Sequence, residues 1–193
     1  MLSMKRREVD FMSFWQKIGD FLSPSGGSQS IKTNDQNVTG PQKDPMSDFS
    51  QVLKVENIAV DVEVKSREEL LKYLSKFAQT IDNGIDAEAI YGKYLVREND
   101  AATDLGDQIA VPHAQDKSVE QLMMLIVKLK QPIIWDKDKQ VQIVLSLVIP
   151  DPEKNYQHVP YLSSIARLLL KKGFLHALNR SRTSEEVFKL FVK

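Results

Sequence analysis

None of the 193 residues is cysteine, which excludes disulfides, thiolate zinc centres and cysteine nucleophiles. The absence fits a reducing interior, so a cytoplasmic location is expected. Neither sign of charge is in excess, since 26 Lys and Arg balance 26 Asp and Glu. Without a basic field, sequence-independent binding to nucleic acid lacks its main driving force, and no nucleic-acid partner is expected. Nowhere do 18 apolar residues follow one another, so no membrane-spanning helix is expected either. Lys5-Arg6-Arg7 precede apolar residues as they would in a secretion signal. Asp10, Gln16, Lys17 and Asp20 interrupt the stretch, however, and no such signal is expected. The eight glycines form neither a dinucleotide fingerprint nor a phosphate-cradling loop. Gly-x-Ser-x-Gly and His-Glu-x-x-His are both missing, and the three histidines lie far apart. No cofactor and no metal are expected.

What is present divides the chain in three. Over residues 1–22, Phe11, Phe14, Trp15, Ile18, Phe21 and Leu22 recur at three- and four-residue steps, the pattern of a short amphipathic helix. That segment either packs on its own domain or remains partly disordered, or it docks on a partner or membrane surface, and the residues leave these open. Residues 23–48 turn to Ser, Gly, Asn, Gln, Asp, Lys and Pro, with too little apolar surface to offset ordering entropy, so a disordered linker is expected. Residues 49–193 carry most of the 42% hydrophobic content, enough for one full-sized core.

Within that domain, β-branched residues over 57–64 predict a strand or extended segment. Ser66 with Glu69 forms a reciprocal cap before Leu70, Leu71, Leu74, Phe77 and Ala78, predicting a helix over 67–81. Asp86 caps a second helix reaching about Arg97. Residues 122–129 and 141–149 read as central strands, with 135–140 as the turn between them. After Pro150-Asp-Pro152 the period becomes helical. Pro160 suits a first turn, Gly173 a stop, a short helix follows near 174–179, and Thr183 with Glu186 caps a last one. Helices around a small apolar sheet make this an α/β sandwich.

The chemistry centres on Ile109-Ala-Val-Pro-His113, a short apolar strand running into a proline that delivers one imidazole where regular structure is expected to stop. A neutral imidazole held there has one nitrogen free to attack phosphorus while the other is fixed by a hydrogen bond. Tyr94-Leu-Val-Arg97-Glu98, then Thr103, then the run from Gly106 to His113-Ala resembles the active-site signature of the fructose/mannitol and nitrogen-type enzyme IIA domains of the bacterial sugar phosphotransferase system. Residues 132–136, 141–150, His158 with the following 162–166, and 184–187 continue the resemblance in order, so it covers nearly the whole of 49–193.

The resemblance implies a mannitol-type fold with a small mixed sheet between helices, and a phosphotransferase working through phosphohistidine. It implies that His113 accepts phosphate from the phosphocarrier HPr and passes it to an enzyme IIB component of a permease for sugar uptake. It further implies that Arg97 neutralises phosphoryl oxygens and that His158 comes near His113 to donate to them. The alternative is a regulatory domain, nitrogen-type or transcription-linked, in which phosphorylation of the same histidine controls protein binding. The N-terminal segment lies outside the resemblance; a tether to a membrane permease is one use for it. His176 falls in no motif and reads as structural or surface. Two positions depart from the family pattern: Gln108 stands where glycine commonly precedes the Ile-Ala-x-Pro-His segment, and Asp104 where glycine often follows the threonine.

Overall fold

A computed structural model describes residues 46–152 and 157–192. The helix expected over 1–22 and nearly all of the linker lie outside the described residues. Asp48–Lys193 forms one compact unit, and it begins with two 3-10 turns, Phe49–Gln51 and Val55–Asn57.

Strand β1 (Ile58–Val62) falls inside the predicted extended segment. Helices α1 (Arg67–Ile81) and α2 (Ala87–Asp100) follow. Ser66 Oγ accepts the Glu69 amide at 3.1 Å, as the capping pattern predicts. The return bond differs in one respect, because Glu69 Oε2 accepts the amide of Lys65 at 2.7 Å, one residue ahead of the cap. Asp86 Oδ1 accepts from Glu88 and Ala89 at the start of α2.

Three short strands come next: β2 (Asp104–Gly106), β3 (Ile109–Ala110) and β4 (His113–Asp116). Gly106, Asp107 and Gln108 all have positive φ, at 88°, 49° and 61°, and they form the tight link between β2 and β3. Two consecutive left-handed residues suit a type I′ hairpin, which explains why a glycine at position 108 would be at ease there. The Gln108 carbonyl accepts the amides of Gln142 and Ile143 at 2.8 and 3.0 Å, locking the turn to the sheet.

Long strands β5 (Met123–Asp136) and β6 (Lys139–Pro150) form an antiparallel hairpin. The turn is shorter than expected, because β5 runs on through Pro132 to Asp136. Pro132 is accommodated where the register shifts between Lys128 and Ile133, so its missing N–H breaks no regular ladder. The sheet order is β1-β5-β6-β3-β2, and β4 also pairs with β6. β1 is parallel to β5, while β3 and β4 are parallel to β6, making the sheet mixed.

Alternation along β5 and β6 buries both faces. Leu125, Val127, Val144 and Val148 pack with Leu70, Leu71, Leu74, Ile90 and Tyr94 of α1 and α2. The chain closes with α3 (His158–Leu170), α4 (Phe174–Arg180) and α5 (Ser184–Phe191), separated in part by Gly173 at φ 83°. Phe191 meets Phe49 and Phe174 edge-on at 5.5 and 5.3 Å, joining the last helix to the first turn. Thr183 Oγ1 accepts from Glu186 N, and Glu186 Oε2 accepts from Arg182 N, again one residue ahead of the cap. The expected sandwich is thus present, with helices covering a six-stranded mixed sheet. Among the described residues, no helix is long and apolar enough to cross a membrane.

Candidate active site

Val111 and Pro112 separate β3 from β4, and both strands hydrogen-bond to β6; the proline carbonyl accepts the Leu147 amide at 3.2 Å. His113 therefore does not sit where regular structure ends. It opens β4, paired with Leu147, because β6 is long enough to receive β3 and β4 in succession. The imidazole is half-buried rather than facing solvent freely.

α2 packs on β4, and its last turn brings Arg97 to the ring. Arg97 Nε donates to His113 Nε2 at 3.1 Å, and Nη1 donates to the Ala101 carbonyl at 2.9 Å. A guanidinium has only donors, so Nε2 must present its lone pair. Nδ1 therefore carries the proton of the neutral ring; it is buried, and the Val111 backbone favours a proton on the ring. Burial, the Arg97 charge and the His158 charge, in that order, push the His113 pKa down to about 3. The ring is consequently neutral across the physiological range. Burial lowers the pKa of Arg97 as well, while the Glu98 and Asp100 charges oppose the shift.

His158 is the first residue of α3, and its ring lies 6.4 Å from that of His113, inclined by 20°. The structure thus brings together all three residues singled out by the sequence: His113, Arg97 and His158. His176 is exposed on α4. Asp116 ends β4, where its Oδ1 accepts the Ser118 amide at 2.9 Å, and Asp107 is exposed in the β2–β3 turn.

A carboxylate beside the site, Glu98, belongs to the run that carries the family resemblance, but the sequence alone assigns it no role. Glu98 is 4% exposed and gathers three donors: the Thr103 amide at 3.1 Å, the Trp135 indole N–H at 3.0 Å, and the Thr103 hydroxyl. Burial raises its pKa, and the bonds from Thr103 and Trp135 oppose that. Asp104, 3% exposed, is satisfied by Lys139 Nζ at 3.3 Å, so glycine's absence there is compensated by an ion pair across to β6. Among the described residues no group of acidic and histidine side chains is arranged to hold a metal ion.

The helix-covered mixed sheet that carries this site falls in a known structural class. The fold matches that of enzyme IIA for mannitol from Escherichia coli, solved in complex with phosphorylated enzyme IIB, with TM-score 0.61 and 19% identity over 72% of this chain and 96% of that one. The family model described as phosphoenolpyruvate-dependent sugar phosphotransferase system, EIIA 2, matches residues 51–193, and the chain belongs to that family. The mannitol-specific phosphotransferase enzyme IIA component of Bacillus subtilis is 26% identical over 144 residues, spanning 73% of this chain and 96% of that protein. The nitrogen regulatory protein of Klebsiella oxytoca is likewise 26% identical, over 149 residues, 75% of this chain and 90% of that protein.

Proposed function

We propose that this chain is a phosphoryl carrier in which His113 Nε2 accepts a phosphoryl group from phospho-HPr and passes it to an enzyme IIB component for sugar uptake. The observation that carries this reading is the ring's fixed tautomer, with a lone pair on Nε2 beside a guanidinium. In the forward step, that pair attacks phosphorus as the donor's P–N bond breaks, and the donor imidazole keeps the released electrons. The Nδ1 proton stays on the ring. Arg97 yields Nε2 to the incoming phosphorus and turns its remaining N–H groups to the phosphoryl oxygens. His158 stabilises the same oxygens from the start of α3. Phosphoryl transfer asks mainly for position and charge neutralisation, and these groups supply both without a cofactor. Enzyme IIB as the acceptor is supported by the IIA–IIB complex of the structural relative.

Incubation with phospho-HPr should place an acid-labile phosphate on the wild type and none on His113→Ala, which keeps a native circular-dichroism spectrum. Equal labelling of the two would remove His113 from the reaction. Arg97→Ala and His158→Ala should slow the transfer without abolishing it, because each stabilises charge rather than forming the bond.

A second reading has its own support, since the nitrogen regulatory relative is as similar as the mannitol-specific one. In it the same phosphohistidine controls binding to another protein, and no sugar is handled. Discharge of the labelled protein by purified enzyme IIB components separates the two: transfer supports transport, and a phosphate that no IIB component removes supports regulation.

A further inference from the structure

We infer that Glu98 is a positioning residue for the His113 imidazole, acting through Thr103 and the Val111 backbone. The inference rests on His113 being the phosphoryl acceptor, but part of its test does not.

The connection is continuous. Trp135, on β5, and Thr103 both donate to the Glu98 carboxylate. The Thr103 carbonyl accepts the Val111 amide at 3.1 Å. Val111 lies two residues before His113, so anchoring its backbone sets the entry of the chain to the imidazole, whose Nδ1 is buried. Adjacent residues at the end of α2 thus control the ring from two sides, Arg97 directly at Nε2 and Glu98 through the 103–111 segment. Successive helical residues point about 100° apart, so one can face the site while the other enters the interior. Glu98 is 4%, Thr103 1%, Trp135 2% and Val111 1% exposed, and solvent does not compete for these bonds.

Stability alone serves this carboxylate poorly. A buried charge costs free energy to desolvate, and apolar groups of similar volume often do as well or better. An acceptor-only group taking an amide, a hydroxyl and an indole N–H at once does, however, fix a chain segment that otherwise has only short strands to define it. That segment contains Asp107 and Gln108, two non-glycine residues at positive φ, whose strained geometry needs such an anchor.

Glu98→Gln distinguishes geometry from charge. Its amide oxygen can replace Oε2 as acceptor, and its NH2 can donate to the Thr103 hydroxyl, which then turns to accept. With His113 as acceptor, Glu98→Ala is expected to lower the single-turnover labelling rate by phospho-HPr roughly tenfold to a hundredfold, at unchanged half-saturating HPr concentration. Glu98→Gln is expected to stay within roughly threefold of wild type. The ring nitrogens, read by 15N NMR on the unphosphorylated protein, should show one tautomer in wild type and Glu98→Gln and a mixture in Glu98→Ala. A folded Glu98→Ala with wild-type rate and wild-type 15N pattern overturns the inference, as does a Glu98→Gln as impaired as the alanine variant. If Glu98→Ala does not fold, Thr103→Val, which removes only the hydroxyl, takes its place. It should lose rate and tautomer purity while Thr103→Ser retains them, and an undisturbed Thr103→Val overturns the proposal. A wild type that takes no label would remove the phosphoryl-carrier reading, and the 15N comparison would still decide whether Glu98 positions the ring.

Discussion

His113 has its pKa pushed down to about 3 from an ordinary 6.5, and this has two measurable consequences. Between pH 6.5 and about 3 the unfolded chain binds a proton that the folded chain does not, so stability rises with pH across that window and falls as pH drops through it. Above 6.5 the contribution is constant. His113→Gln should therefore flatten part of the acid limb of stability, measured as urea midpoints from pH 4 to 7. An unchanged limb would mean that the ring titrates alike in both states. The same shift keeps Nε2 unprotonated, so the transfer rate should show no inflection near pH 6.5 attributable to this ring. The sequence singled out this residue through its strand-and-proline setting and the family resemblance around it, and the structure brings Arg97 and His158 to the same ring. Its burial and strand pairing were not legible, because they depend on β6, some thirty residues downstream, being long enough to pair twice. Glu98 was illegible in a different way. A carboxylate near a helix end looks solvated until the donors of Thr103 and Trp135 converge on it, and from the sequence Trp135 reads as part of a turn.

At the level of elements, local patterns were read well wherever one helix turn contains the whole device. Ser66 and Asp86 cap as their spacing predicts, and α1 spans the predicted residues. Ser66→Ala should cost about 1 kcal/mol in urea unfolding, the usual worth of an N-cap. The reach of β5 was underestimated, because Pro132 reads as a stop unless a register shift absorbs it. The β2–β3 turn offers a stabilising change. Gln108 sits at φ 61°, where a Cβ costs about 1–2 kcal/mol, while glycine loses about 0.5–1 kcal/mol through its freer unfolded chain. Gln108→Gly should therefore gain roughly 0.5–1 kcal/mol, and a loss would mean the side chain makes a contact that outweighs the strain. Lys128 on β5 ties the sheet to the end of α4. Its Nζ donates to the carbonyls of Leu178 and Ser181 at 2.6 and 2.5 Å and to that of Asn179 at 3.3 Å. Lys128→Met fills the space but strands these acceptors, and should cost about 1–3 kcal/mol.

For the molecule as a whole, the sandwich was legible because two apolar runs of strand length stood among helices of clear period. The sheet order was not, since which strand lies beside which depends on contacts distant in sequence. The compact unit begins at Asp48, so a chain starting at Met46 should melt cooperatively within a few degrees of the full chain; a broad or greatly lowered transition would show that the first 45 residues complete the fold. Arg97 at Nε2 also gives the protein a chemical latency. Acylating and alkylating reagents need the same electron pair that the guanidinium already occupies, so diethyl pyrocarbonate should carbethoxylate exposed His176 well before His113. Under the proposed function, a docked donor that draws the arginine onto its own anionic cargo would unmask the nucleophile, which until then would stay inert to stray electrophiles.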